Sequence, residues 1–249
     1  APAGEPRPLR ETLSEIVLDP DNRLVDARAY AVQLLGTSAD HEVTRDLLDL
    51  YTQRSMPSHV REAIATALRG RRIGIEHLVE ALGRRYDFIE DTAAPPLEVI
   101  VPSLLEAHAT AAVPGLVHQM NDHETPLAVL PQVVQAIVEL GDASVVPALR
   151  QFLVLYHSDS AFAEHPEALV SAADGILRHG GAEGRALLTA MGTDARTLAG
   201  LSAGINGFFE AERRAEEERI AREAADAAAA AAEAARMAEA SLPLRLSQD

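Results

Sequence analysis

The chain has no cysteine, no tryptophan and no lysine, and only 4% of its 249 residues are aromatic. Without cysteine there is no disulfide framework, no thiolate metal site and no cysteine nucleophile. The sequence contains no G-x-S-x-G elbow, phosphate-cradling glycine loop, H-E-x-x-H pair or dinucleotide fingerprint. No alternating β-branched run bounded by turn residues marks a strand, and no apolar run is long enough to span a membrane. These absences point to an all-α, non-enzymatic protein with no catalytic residues, no cofactor and no metal.

Cationic charge is scarce. All 22 basic residues are arginine against 38 acids, giving a net charge of −16. Residues 1–206 carry 16 Arg and 28 acids, and residues 207–249 carry 6 Arg and 10 acids, so the acidity belongs to the whole chain. A field of that sign opposes phosphate-backbone binding, which relies on cations releasing counterions, so no nucleic-acid partner is expected. It suits a protein or peptide partner with basic segments. Lysine replaced throughout by arginine, beside an alanine-rich tail, reads as the coding bias of a GC-rich genome.

What is present is a repeat. An apolar pattern recurs about Leu47, Leu78, Leu116, Leu149 and Leu187, at intervals of 31 to 38 residues. AAVPGLVHQM (111–120) and SVVPALRQFL (144–153) share Val-Pro, then Leu two residues on, then Gln. A period of this length with helical apolar spacing predicts stacked helical units. The run Gly141-Asp142-Ala143-Ser144-Val145-Val146-Pro147-Ala148-Leu149, with weaker echoes at Val113-Pro114-Gly115-Leu116 and Gly74-Ile75-Glu76-His77-Leu78, resembles the short bacterial type of HEAT repeat. The resemblance covers roughly residues 10–206. It implies an α-solenoid of about five or six antiparallel helix pairs and is nearly silent on function.

The expected pairs are 9–18 with 22–36, 41–54 with 58–69, 74–89 with 96–109, 111–121 with 126–140, and 143–157 with 166–179. A sixth pair starts at Gly181, and its second helix begins near Asp194. In the first pair Leu24, Ala27, Ala31, Leu34 and Leu35 fall on one face. Val60, Ile64, Ala67 and Leu68 form the buried stripe of the second, whose helix Pro57 starts and Ser58 caps. Pro102 and Pro131 stand inside apparent helices, which must either kink there or begin late.

Residues 207–240 form an Ala/Glu/Arg-rich helical extension, since 208–240 contain neither Gly nor Pro. Glu210 with Arg214 and Glu218 with Arg222 are acid-to-base pairs four apart. Beyond Phe209 only Ile220 and Met237 are large and apolar before Leu242, so no zipper seam exists. Gly200, Gly204 and Gly207 suggest a junction at which this arm swings. Residues 1–8 read as a flexible Pro-rich tether and 241–249 as a C-terminal tail.

Arg69, Arg71, Arg72, Arg84 and Arg85 are the only basic concentration, and form a candidate partner-binding edge. Phe208, Phe209 and Ile220 are the candidate contacts of the arm. His118, Asp122, His123 and Glu124 have metal-like spacing, but no second helix supplies matching ligands. His157 and His179 suit helix C-termini.

The expected function is a protein-binding scaffold or adaptor acting through the repeat surface, with the arm as an interaction element and a route to oligomers. Alternatives are a structural subunit of a bacterial cell-envelope assembly and, further off, a HEAT-like lyase or other enzyme subunit. The start of the chain resembles an exported protein without its signal peptide or lipidated cysteine, implying a periplasmic or envelope location with membrane tethering through an omitted lipid; the alternative is cytoplasmic.

Overall fold

A computed structural model describes residues 9–84 and 94–240. Among these it has twelve α-helices and no strand. They are α1 (Leu9–Leu18), α2 (Val25–Gly36), α3 (Glu42–Thr52), α4 (Ser58–Gly70), α5 (Ile75–Ala81), α6 (Leu97–Glu106), α7 (Val113–Asn121), α8 (Leu130–Leu140), α9 (Val146–Tyr156), α10 (Glu167–His179), α11 (Gly181–Thr193) and α12 (Ala199–Ala240). The expected tether, the C-terminal tail, Arg85 and the expected extension of α5 toward Ile89 lie outside the described residues.

The recurring motif has a local physical basis. Asp142 accepts a hydrogen bond from the Ser144 amide at 2.8 Å, opening a single 3-10 turn that leads into α9. Pro114, Pro131 and Pro147 all sit in the first turns of α7, α8 and α9, where a missing N–H costs nothing. Pro131 therefore marks a late start, whereas Pro102 lies inside α6. A side chain at Gly141 would bring its Cβ within 2.5 Å of the Ile137 carbonyl and of Val145 Cγ1, so the motif glycine is demanded by close packing. Gly74 opens α5 at φ +74°, a left-handed conformation that glycine adopts without steric cost. Ser58 is the first residue of α4 and Pro57 stands at the cap position, with no side-chain cap bond.

Consecutive helices pair, and the second member of each pair packs on the second member of the next: α2 on α4, α4 on α6, α6 on α8, α8 on α10 and α10 on α12. One hydrophobic core runs from Leu13 in α1 to Ile205 in α12. Leu47, Leu78, Leu116 and Leu149 are all fully buried in it. At the fifth unit the register slips by one, because Leu188 takes the buried place and Leu187 is only half-buried.

Small residues let the second helices approach closely. A Cβ on Gly175 of α10 would lie 2.5 Å from Val138 Cγ2 of α8 and 2.7 Å from Leu149 Cδ1 of α9. Gly200 and Gly204 play the same part for α12, where a Cβ would meet Pro166 Cγ at 2.6 Å and Val170 Cγ2 at 2.9 Å. For Gly200 and Gly204 the expectation of a swinging junction is thus corrected: they lie within one unbroken helix and seat it against α10 and the residue that precedes it, whereas a Cβ on Gly207 would meet nothing within 4 Å.

Helix α2 brings another correction. Its buried residues are Arg28, Ala29, Ala31, Val32 and Leu35, while Leu24, Ala27 and Leu34 are exposed. A helix flanked on two sides buries two stripes, so the single-face reading is right for Ala31 and Leu35 and wrong for Leu24, Ala27 and Leu34. Arg28 is buried despite its charge, donating from Nε to the Val17 carbonyl at 2.8 Å and so closing the last turn of α1.

Candidate interaction surfaces

The arginine edge does not act as one unit. Arg71 is buried and all its bonds point inward. Its Nε donates to Thr44 Oγ1 (2.8 Å), Nη1 to the carbonyls of Leu35 (3.3 Å), Gly36 (3.0 Å) and Ser38 (2.9 Å), and Nη2 to that of Asp40 (2.8 Å). It clamps the end of α2 and the following loop onto α3, and burial lowers its pKa from the ordinary arginine value, with Asp40 opposing. Arg71 is therefore not presented to a partner.

Arg69 is exposed at the end of α4. Arg72 donates to the carbonyls of Arg69 and Arg71 and lies 4.0 Å from Glu106. Arg84 pairs with Asp49 at 3.5 Å, beside a cleft of about 40 Å³ whose lining includes Leu97, Gln119 and Asp122. The edge is thus three exposed guanidiniums, two of them facing acids, around a structural fourth. Nearby, His41 Nδ1 lies 2.7 Å from Glu76 Oε1, tying α3 to α5, and this hydrogen bond holds the Glu76 carboxyl below its usual range.

The arm residues divide at Phe209. Phe208 and Phe209 are half-buried and pack against the core. The Arg185 guanidinium sits 5.3 Å from the Phe209 ring centre and pairs with Glu212 at 2.6 Å, fastening the root of α12 to α11. From Glu210 to Met237 every residue is exposed, Ile220 included, a stretch about 40 Å long at about 1.5 Å per residue. In this stretch Arg219 pairs with Glu216 and Glu223, while Arg214 donates to the Glu210 backbone carbonyl. The expected pairings Glu210–Arg214 and Glu218–Arg222 are not the ones adopted.

Two open grooves follow the lines along which second helices meet. One, of about 400 Å³, lies between α2 and α4 over Ala29, Gly36, Ala63 and Ala67, with Gln33, His59, Glu62 and Thr66 along its sides. The other, of about 340 Å³, lies among α8, α10 and α12. Val138, Val170 and Phe208 give it apolar surface, and Gln135, Glu139, Ser171, Asp174 and Arg178 supply polar groups. Arg178 bridges Asp174 (2.6 Å) and Glu139 (3.3 Å). Burial pulls its pKa down, but the two carboxylates outweigh this and raise it.

Sequence reading found Phe208 but not Glu139, Asp174 or Arg178. The available signal was separation: hydrogen bonds joining one helix pair to the next recur near the repeat length, as in His41–Glu76 (35 residues apart), Gln119–Leu82 (37) and Arg178–Glu139 (39).

Among the described residues no three His, Asp or Glu side chains gather to hold a metal ion. Asp122 instead accepts from the Glu124 amide at 3.0 Å in a turn, with His123 Nδ1 at 3.6 Å from its carboxylate. No described helix is long and apolar enough to cross a membrane. No protein-family model and no curated protein sequence matches the chain.

Proposed function

We propose that the chain is a HEAT-like α-solenoid that acts as a non-enzymatic protein-binding scaffold, with α12 as its interaction arm. The observation that carries this reading is the contrast within α12: a root fastened by Phe208, Phe209 and Arg185, then seven turns with no buried residue. Helix of that length draws its stability from alanine propensity and local ion pairs, and is left open to a second molecule. Support for the solenoid comes from the serial packing of second helices and from hydrogen bonds that join each unit to the next, such as His41–Glu76, Gln119–Leu82 and Arg178–Glu139. Stacked units of this kind offer extended grooves rather than an enclosed pocket. The acidic charge selects a partner with basic segments.

The test is site-specific photocrosslinking in extract of the source cells. A photoreactive residue is placed at Ile220 in the arm, at Gln135 in the α8/α10 groove and at Leu155, exposed on α9. The scaffold reading expects one protein to be joined at both Ile220 and Gln135 and absent at Leu155. Equal labelling from all three positions, or no discrete adduct, defeats it.

A further inference from the structure

Helix α5, seven residues from Ile75 to Ala81, is the shortest of the described α-helices. A helix of two turns does not hold itself together in water, so its neighbours decide whether it forms. On the α3 side the contacts keep one register: His41 faces Glu76, Glu42 faces His77 and Asp49 faces Arg84, each partner 35 residues on. The order of residues reverses between the two helices, His-Glu at the start of α3 and Glu-His at the start of α5, so that each imidazole meets a carboxylate. His41 Nδ1 donates to Glu76 Oε1 at 2.7 Å, and His77 Nε2 lies 3.8 Å from Glu42 Oε1. The backbone beneath is tight: a Cβ on Gly74 would collide with the His41 carbonyl, and Thr44 Oγ1 donates to the Ile73 carbonyl at 2.6 Å. The four side chains are therefore held face to face whatever their charge.

We propose that this quartet is a pH-responsive clasp, in which protonation of His41 and His77 locks the start of α5 onto α3 and deprotonation loosens it. Among the described residues no arginine bridges Glu76, so its adjacent countercharge is His41. The hydrogen bond from His41, with a smaller pull from His77, holds the Glu76 carboxyl below its usual range and keeps it ionised near neutrality. Glu42 is shared between Arg45, one turn along α3, and His77, whose side chain is only 15% exposed, so little water screens the two. The other charged groups around α5 have partners of their own. Arg10 pairs with Asp40 and Asp46 on the α1 side, and Arg71 is buried against the Asp40 carbonyl. Burial raises the Asp46 carboxyl, against the pull of Arg10. On α6, Glu98 accepts from the Tyr51 hydroxyl and Glu106 faces Arg72; Glu80 stands one turn beyond Glu76, and α7 carries His118. An imidazole that gains a carboxylate on folding contributes stability while it is protonated. The clasp is therefore closed below the ordinary histidine value of about 6.5 and is lost as pH rises above it. At the other end of α5, Arg84 stays charged and keeps its bridge to Asp49 (3.5 Å), so the release is confined to the start of the helix.

The clasp is independent of the scaffold reading and of the arm. Amide hydrogen exchange of the full chain at about pH 6 and about pH 8, with exposure times scaled to the intrinsic exchange rate, provides the test. Amides of residues 75–81 are expected to be roughly threefold better protected at the lower pH, the size that mostly exposed pairs allow. His41→Gln combined with His77→Gln abolishes the difference and leaves helical circular dichroism unchanged. Glu76→Gln, at an exposed position where folding is not at stake, shrinks it. His59→Gln leaves it intact, since that imidazole stands 4.0 Å from a fully exposed Asp26 on α2. Equal scaled protection at the two pH values overturns the proposal. So does a difference that survives the double histidine substitution or Glu76→Gln, which would assign the response to another group such as Asp46. A difference abolished by His59→Gln overturns it as well.

Discussion

Ala172 and Ala229 both stand in the middle of an α-helix, and the same methyl group does different work in each. Ala172, in α10, is fully buried in the core, among the residues that close the line between second helices. Ala229, in the arm, is exposed with nothing packed upon it. The body is held by tertiary burial, which places each helix by what it touches. The arm is held by backbone propensity, which asks only that residues be alanine, glutamate or arginine. Position therefore matters in the first region, and composition in the second.

The largest effect that would test this contrast comes from Arg71→Met. It strands Thr44 Oγ1 and the carbonyls of Leu35, Gly36, Ser38 and Asp40 without their shared donor, at a cost of about 2–4 kcal/mol. Calorimetry should show Tm falling by about 10 °C, while Arg69→Met, at the exposed end of the same helix, stays within about 0.5 kcal/mol of the parent. Equal effects would mean that Arg71 is a surface charge after all.

Next comes one substitution made in both regions. Ala172→Gly removes a buried methyl as well as helix propensity, about 2 kcal/mol together, and lowers Tm by about 5 °C. Ala229→Gly loses only the propensity, about 1 kcal/mol, and the loss stays local. Amide exchange near residue 229 should quicken about fivefold with Tm unchanged. A matching fall in Tm from both would show that the arm leans on the body.

The smallest effect lies at the junction of the two regions. Asp194 closes α11 and accepts from the side chain and amide of Arg196, which hold its carboxyl down to about 2. A carboxylate lowered on folding contributes stability above the ordinary carboxylate range and loses it as pH falls from about 4 through about 2. Asp194→Asn should therefore lower Tm slightly at pH 7 and converge on the parent near pH 2, flattening the fall of Tm over that window. An identical acid profile in parent and variant would assign the pair no role.

Much of the helical architecture was legible in the chain. The leucine spacing found four of the five buried anchors, and Val-Pro found the helix starts, because both signals are local: apolar periodicity marks a helix and proline fits its first turn. The arm was legible for the same reason. Sites were less so. Arg71 and Arg72 are neighbours in sequence with opposite fates, since one points toward free carbonyls at the end of α2 and the other toward solvent and Glu106. Nothing adjacent to either residue encodes that difference.

The sequence by itself determined that this chain is helical, that its units recur near the length at which neighbours touch, and that its last helix outruns the core. These follow from propensity and periodicity, which act between residues a few positions apart. Only the tertiary structure decided which residues of α2 are covered, that Leu188 replaces Leu187, that Gly200 and Gly204 seat α12, and that Glu139, Asp174 and Arg178 meet. Each of these depends on the direction in which a side chain meets a helix some 35 to 40 residues away, and that direction is set by packing between units.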